Sequence, residues 1–425
     1  MDVHYLPYTN VNAMSKRENI FKRMYRHQKR WFAKWHTAAG IIAGAILILV
    51  CLTGSILVYE QEIDARLNPA MFDFKEEGKK PLLSFQEAYD RLDTQLDKDH
   101  THFFYRDPQR NNAYMGYLED SKQQVIVNPY TGKITGKRVY ANTFTGFTRN
   151  FHRTLLIPVI GRYLVGISAL MCVVLMVSGL RLWVPKKLKY LKSRVTIKTS
   201  GSKRRVNYDV HNVLGFFFSP FMSIISLTGA IITFFQFVVL GLFLVSLSPP
   251  KSIDKILGAK STYVANTKSL TINDIKQKVN KLKPNGEMLS VQLPHDSVGV
   301  FSASVIEKVS YNQTGHRIQL SFDQYSGELL FDSDRDVPQT SRLYVDWVTP
   351  LHYGTFGGPV TRVVALITCL IMATLFITGL YIWIPRWKKR KRAQTKTSNQ
   401  KANKPKVRKR PVALATSSEE SNTEQ

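Results

Sequence analysis

The sequence predicts an α-helical membrane protein: four transmembrane helices in two parallel repeats, with two small α+β domains outside the bilayer. Three observations predict it. Four uncharged apolar blocks run over Ala38–Tyr59, Tyr163–Leu180, Val213–Leu247 and Val363–Trp383, each about as long as, or longer than, the roughly 20 residues an α-helix needs to cross a bilayer. Basic residues gather in alternate connections between the blocks. The same residues also recur at the same offsets in the two halves of the chain.

The 425 residues carry 59 Lys+Arg against 31 Asp+Glu, a formal net charge of +28. Such a balance commonly marks a partner of nucleic acid or of an anionic membrane. Four apolar spans have no use in a nucleic-acid-binding protein, so nucleic acid is excluded and the lipid bilayer is the expected partner. Residues 1–36, the run Pro185–Arg205 and the tail from Arg386 together hold 30 basic and 5 acidic residues, which leaves about +3 for the rest of the chain. By the positive-inside rule these three segments, and both termini, face the cytoplasm. Residues 37–60 read as a first span, too long for a signal-peptide core and without a small-residue cleavage site. Residues 151–184 and 349–385 read as the second and fourth spans, each with a preceding boundary segment. A basic loop covers 185–209 and the third span 210–248. Residues 386–425 read as a disordered basic tail attracted to anionic lipid.

The other two connections, 61–150 and 249–348, each suffice for one small domain. In the first, Ser84–Leu96 has helical periodicity, with Ser84 as N-cap and Glu87 completing a capping box. Strands follow at His102–Tyr105, Tyr114–Leu118 and Gln124–Val127, then the turn Asn128–Gly132 and a further strand. The second repeats that order: helix Thr271–Leu282, strands Leu289–Leu293, Val300–Val305 and Arg317–Phe322, and the turn Asp323–Gly327.

The repeat extends into the spans. His36 and His211 are each followed by Gly at four residues (Gly40, Gly215) and by Thr-Gly at seventeen and eighteen (Thr53-Gly54, Thr228-Gly229). His152 and His352 are each followed by Arg at ten (Arg162, Arg362), Gly-Leu at twenty-seven, Trp at thirty-one and Pro at thirty-three. The first and third spans run in the same direction, so the halves are parallel repeats about an axis along the membrane normal.

Four of the ten histidines thus occupy matching boundary positions. His36 and His211 lie at the cytoplasmic ends of spans one and three, and His152 and His352 lie shortly before spans two and four on the outer side. A single boundary histidine is an ordinary hydrogen-bond partner of headgroups or helices. Four in symmetric pairs point to two b-type haems, each with two axial imidazoles. Two axial ligands leave no open iron site, which suits electron transfer. On a straight helix Gly54 returns to the face of His36, and small residues beneath a histidine leave room for a planar ligand or for close helix contact. Arg162 and Arg362 suit haem propionates, or equally the snorkelling of boundary arginines. The remaining histidines have no counterpart and read as solvated. Cys51, Cys172 and Cys369 lie within apolar blocks without a CxxC pair, so they read as packing residues.

Trp35-His36 with Thr53-Gly54, the Phe151-His152-Arg153 lead into span two, the Gly-Leu-x-x-Trp-x-Pro endings and the paired Asn/Asp-x-x-x-Gly turns together resemble the PepSY-associated transmembrane family, over about residues 30–390. The turn at Asn128 departs slightly, since Asp is usual there. The resemblance implies two periplasmic PepSY-like domains, an inner-membrane location, and His36, His211, His152 and His352 as haem ligands. It also implies an oxidoreductase similar to ferric-siderophore reductases. Such a protein passes electrons from the cytoplasmic side to a ferric siderophore or other iron chelate and releases Fe(II) for uptake. No GxGxxG or other nucleotide fingerprint occurs, so the donor is expected to be a membrane quinol or a separate cytoplasmic reductase. Two other functions fit the family's domains: a non-enzymatic regulator or sensor of periplasmic proteins, and an iron-chelate transporter. Against transport, no charged side chain lies within the four blocks; Gln236, near one end of the third, is the nearest candidate.

Overall fold

The computed structural model describes residues 11–74, 80–96, 99–247 and 258–402. In chain order the elements are α1 (Val11–Leu57), α2 (Glu60–Leu67), α3 (Pro69–Phe72), α4 (Phe85–Asp93), β1 (Thr101–Asp107), β2 (Ala113–Leu118), β3 (Gln124–Val127), β4 (Ile134–Arg138), α5 (Phe144–Thr154), α6 (Ile160–Trp183), α7 (Leu191–Arg194), α8 (Lys203–Thr233) and α9 (Phe235–Val245). There follow α10 (Ile272–Leu282), β5 (Gly286–Gln292), β6 (Val300–Val309), β7 (Asn312–Asp323), β8 (Leu329–Asp332), α11 (Ser333–Asp336), α12 (Gln339–Leu343), a π-helical turn (Tyr344–Val348), α13 (Thr349–Tyr353) and α14 (Gly358–Ala402).

Four helical segments are long and apolar enough to cross a membrane: Arg23–Leu57, Ile160–Trp183, Lys203–Thr233 and Gly358–Pro385. Within lipid a helix satisfies its own backbone, which is why the apolar blocks take this form. Among these four, α1 packs against α6 and α14, and α8 packs against the same two, closing a ring. Its centre is sulfur-rich. Met372 Sδ of α14 lies 3.9 Å from the Sγ atoms of Cys51 (α1) and Cys172 (α6), and 4.0 Å from Ser226 Oγ (α8). All three cysteines are buried and free, as packing residues.

Two boundaries differ from the sequence expectation. The third apolar block is not one long span: α8 stops at Thr233 and α9 starts again at Phe235. About twenty apolar residues already match the bilayer core, and the surplus forms a second, 11-residue helix. Its end is exposed at Leu244, Val245 and Leu247, which suits the interfacial layer of a bilayer. At the other boundary, α14 continues as helix to Ala402, where disorder was expected from Arg386. The Lys, Arg, Gln and Ala of this run are good helix formers, and no glycine interrupts it. Residues 1–10 and 403–425 lie outside the described residues.

The two connecting segments, expected as separate domains, form one antiparallel sheet of eight strands ordered β4-β3-β2-β1-β5-β6-β7-β8. The seam is β1 with β5, where Phe103 faces Gln292, Phe104 faces Val291 and Tyr105 faces Ser290. Each half alone would expose an unpaired, apolar-faced edge, and pairing the two removes both edges. One core covers the seam: Phe85 and Leu92 of α4 and Ile275 and Val279 of α10 pack on Phe104, Val291, Ile318 and Leu320. Both helices begin with a capping box, Ser84 with Glu87 and Thr271 with Asp274. Both conserve the turn geometry as well. Asn128 Oδ1 accepts from the Tyr130 and Thr131 amides, Asp323 Oδ1 accepts from the Tyr325 and Ser326 amides, and Gly132 and Gly327 close the turns at φ of 73° and 66°. Because the core is shared, Phe104→Ala (fully buried, 0% exposed) is expected to cost about 3–5 kcal/mol. Chemical unfolding should then show both halves of the sheet melting in one transition; separate transitions would refute the single core.

The opposite face of the first half packs on Phe72 and Phe74, through Ala113, Met115 and Ile126. There the buried Asp64 of α2 accepts two bonds from Arg138 (2.8 and 2.7 Å) and one from Arg110 Nε (2.8 Å). Glu60 accepts from Arg149 of α5 at 2.5 and 2.6 Å. This network ties the first span to the sheet.

Candidate functional site: two levels of paired histidines

His36 and His211 project from α1 and α8 at the basic end of the bundle. His152 and His352 arrive differently. The chain breaks between α5 and α6, with positive φ at Leu155, Leu156 and Val159, and between α13 and α14 at Gly354 and Gly358. These breaks separate both histidines from the spans that follow them, and they fold α5 back on α1 and α13 back on α8. His152 and His352 therefore sit in the bundle, although each precedes its apolar block by about ten residues.

All four imidazoles are held in the same way. His36 Nδ1 lies 2.9 Å from Ser178 Oγ, and His211 Nδ1 2.9 Å from Thr378 Oγ1. His152 Nδ1 lies 2.9 Å from the Val50 carbonyl and 3.2 Å from Thr53 Oγ1; His352 Nδ1 lies 3.0 Å from the Ile225 carbonyl and 3.2 Å from Thr228 Oγ1. Each of the four hydroxyls already donates to a carbonyl of its own helix. The hydroxyl oxygens and the carbonyls therefore accept, and Nδ1 must carry the hydrogen. Each ring is thereby fixed as the Nδ1–H tautomer, with a lone pair on Nε2. Among the described residues, no donor meets any of the four Nε2 atoms.

The glycine after each hydroxyl residue makes room for the ring. A Cβ on Gly229 would lie 2.8 Å from His352 Cε1, and one on Gly54 would lie 3.0 Å from His152 Cε1. At Gly179 the distance to His36 Cε1 would be 3.2 Å, and at Gly379 to His211 Cε1 it would be 3.4 Å. This corrects the sequence reading in one respect. Gly54 shares a helix with His36 but serves His152, because eighteen residues carry it roughly 27 Å along the axis. The missed signal was Ser178 and Thr378: each apolar block contains a single Ser/Thr-Gly pair.

The rings of His152 and His352 have centroids 6.4 Å apart. They line a partly open, mainly apolar pocket together with Arg153, Arg162, Cys369 and Met372. The two predicted arginines differ in their commitments. Arg162 lines this cavity and donates to the Thr233 carbonyl at 2.8 and 3.1 Å. Arg362 donates to the Val58 carbonyl and to both carboxylate oxygens of Glu62, with its guanidinium 4.4 Å from the Tyr59 ring centre. Arg153, quoted in the sequence only as part of a motif, is the second cation at the cavity. At the basic end, an open cleft is lined by Lys29, Lys186, Arg194, Arg205 and Tyr208.

These residues fit a bis-histidine haem. Neutral imidazole with a free Nε2 lone pair is the form that binds iron, and a backbone or hydroxyl acceptor on the other nitrogen is the usual support of a metal-bound histidine. Two nitrogens each about 2 Å from one metal would put opposed ring centres roughly 6 Å apart, close to the spacing seen. Among the described residues no group of three His, Cys, Asp or Glu could hold a bare metal ion.

Fold and site define a class: a four-helix membrane protein with two levels of paired, half-buried histidines and a single antiparallel sheet. The family described as the PepSY-associated TM region matches residues 33–386, and the chain belongs to it. No curated protein matches the sequence.

Proposed function

We propose that the chain is a diheme inner-membrane reductase. On this reading it takes electrons on the basic, cytoplasmic side, where both termini lie, and delivers them to a ferric chelate of siderophore type on the periplasmic side, releasing Fe(II) for uptake. His36 with His211, and His152 with His352, would be the axial ligands of two b-type haems, related by the pseudo-twofold axis of two parallel repeats. The observation that carries this reading is the fourfold recurrence of one socket: Nδ1–H held by a hydroxyl acceptor, a glycine behind the ring, and Nε2 left with its lone pair.

Haem bound at such sites supplies reversible one-electron chemistry. The protein's own residues do the rest. The Ser178, Thr378, Thr53 and Thr228 hydroxyls fix tautomer and ring rotation, so little rearranges when the charge at the site changes. Arg153 and Arg162 place positive charge at the outer cavity, where carboxylates of a bound group would sit. The palindromic strand order and the matched capping boxes and turns support the repeat. Reduction suits release of the substrate, because Fe(III) is held far more tightly than Fe(II) by hard oxygen donors.

A reduced-minus-oxidised absorption spectrum of the purified protein tests this directly. It should show b-type bands, with about two haems per chain, and the reduced protein should yield Fe(II) from a ferric hydroxamate to a colorimetric ferrous chelator. A spectrum without b-type bands would overturn the reading.

A further inference from the structure

One buried polar cluster is not used by the reading above. His316 of β7 is 6% exposed and is bridged on both ring nitrogens. Nδ1 lies 2.8 and 3.0 Å from the carboxylate oxygens of Asp346, and Nε2 lies 2.8 Å from Oδ1 of Asp334. Asp346 is 2% exposed and belongs to the π-helical turn that runs straight into α13, the helix of His352. Other charged and titratable groups face the cluster from the elements around it. Lys283, after α10, donates to Asp334 at 2.7 Å and lies 3.7 Å from Asp332 at the end of β8. Arg342 of α12 donates to Asp334 at 2.8 Å, the Tyr311 hydroxyl donates to Asp346 at 2.8 Å, and Glu307 stands opposite His316 in the β6–β7 ladder.

Proton counting decides what this bridge requires. Ionised carboxylates only accept, so both ring nitrogens must donate, and only the imidazolium carries both hydrogens. A neutral ring holds one carboxylate and turns a lone pair toward the other. Burial alone would push the imidazole down, but the hydrogen bonds and charges of Asp346 and Asp334 outweigh it and hold its pKa above the ordinary value. A raised folded value means the double bridge is complete below the ordinary histidine pKa and is lost as pH rises through the raised one.

Among the described residues of the first half, no histidine bridges two carboxylates in this way. There α5, which carries His152, is held by Arg149 on Glu60, and arginine does not titrate in this range. The histidines of the outer pair are thus secured by unlike clamps. We propose that protonated His316 is a positioning residue for His352: its double bridge pins the π-helical turn and α13 to the sheet, and loss of its proton frees α13 while α5 stays fixed. The consequence for a bound haem rests on reading His352 as a ligand; the clamp itself does not.

Hydrogen–deuterium exchange of the whole protein in lipid nanodiscs, corrected for the intrinsic effect of pH, tests the clamp without haem. Amides of 344–353 should exchange faster at pH 9 than at pH 6, by roughly tenfold, as the tie between the π-helical turn and the sheet is lost. Amides of 144–154 should not change. Asp346→Asn lets a neutral ring accept from the amide, so it should stay slow at both pH values, whereas His316→Ala should be fast at both. A wild-type segment indifferent to pH, or an Asp346→Asn profile identical to wild type, would overturn the proposal. In the haem-loaded protein, the potential of the outer centre should follow the same pH range in wild type and not in Asp346→Asn. If exchange responds as expected and the potential does not, the ligand reading of His352 fails and the clamp stands.

Discussion

On the proposed diheme reading, His152→Ala is expected to lose one of two haem equivalents and keep the other, with His36→Ala removing the complementary one. The two levels, at His36 and at Thr53, are separated by roughly 25 Å along α1, and each ring is held by its own Ser/Thr-Gly pair, so neither loss should propagate. Haem content by pyridine haemochrome, set beside the reduced spectrum, reads this out. Loss of both haems from either single change would refute the pairing. Two milder variants separate ligation from support. Ser178→Ala keeps the His36 ring and removes its hydroxyl acceptor, and loss of such support typically weakens metal binding about 10–100-fold. Gly229→Ala puts a methyl 2.8 Å from His352 Cε1, so the ring must move and the outer haem should be lost or spectrally shifted, with the inner one untouched.

Asp64→Ala should be among the most destabilising single changes outside the bundle. The residue is 1% exposed and answers both Arg138 and Arg110, themselves 9% and 5% exposed. Removing it leaves the buried Arg138 with only the Gln124 amide oxygen, and Arg110 with Asp107 as its remaining close carboxylate. Breaking a buried ionic cluster in this way costs about 3–5 kcal/mol, a large share of the roughly 5–15 kcal/mol that holds a typical domain folded. Asp64→Asn retains some hydrogen bonding and should fall between. Denaturant midpoints in micelles measure the order, and a midpoint for Asp64→Ala within error of wild type would refute the role. The pH dependence has a definite sign. Burial pushes the Asp64 carboxyl up, but the hydrogen bonds and charges of Arg138 and Arg110 hold it below its ordinary value. Its contribution is therefore present above the ordinary carboxylate range and is lost only as pH falls through the lowered one. The His316 clamp behaves in the opposite way and weakens as pH rises.

The sequence by itself determined what depends on short range. Span length and hydropathy located the four crossing helices, because lipid demands an apolar surface and an internally bonded backbone at every crossing. Ser84 with Glu87 and Thr271 with Asp274 marked two helix starts, and Asn128–Gly132 and Asp323–Gly327 marked two turns, since each is satisfied within four or five residues. Fixed offsets picked out His36, His211, His152 and His352. Only the tertiary structure decided the rest. The β1–β5 seam joins Phe104 to Val291, and nothing local at either strand encodes which other edge will cover it. The breaks at Leu155–Val159 and Gly354–Gly358 bring His152 and His352 into the bundle, and α8 ends at Thr233 with α9 starting anew at Phe235 inside one unbroken apolar run. Which glycine backs which histidine is also a matter of packing: Gly54 lies on the helix of His36 but against the ring of His152. So is the meeting of His316 with Asp346, thirty residues apart, where only the folded sheet brings two carboxylates to one imidazole.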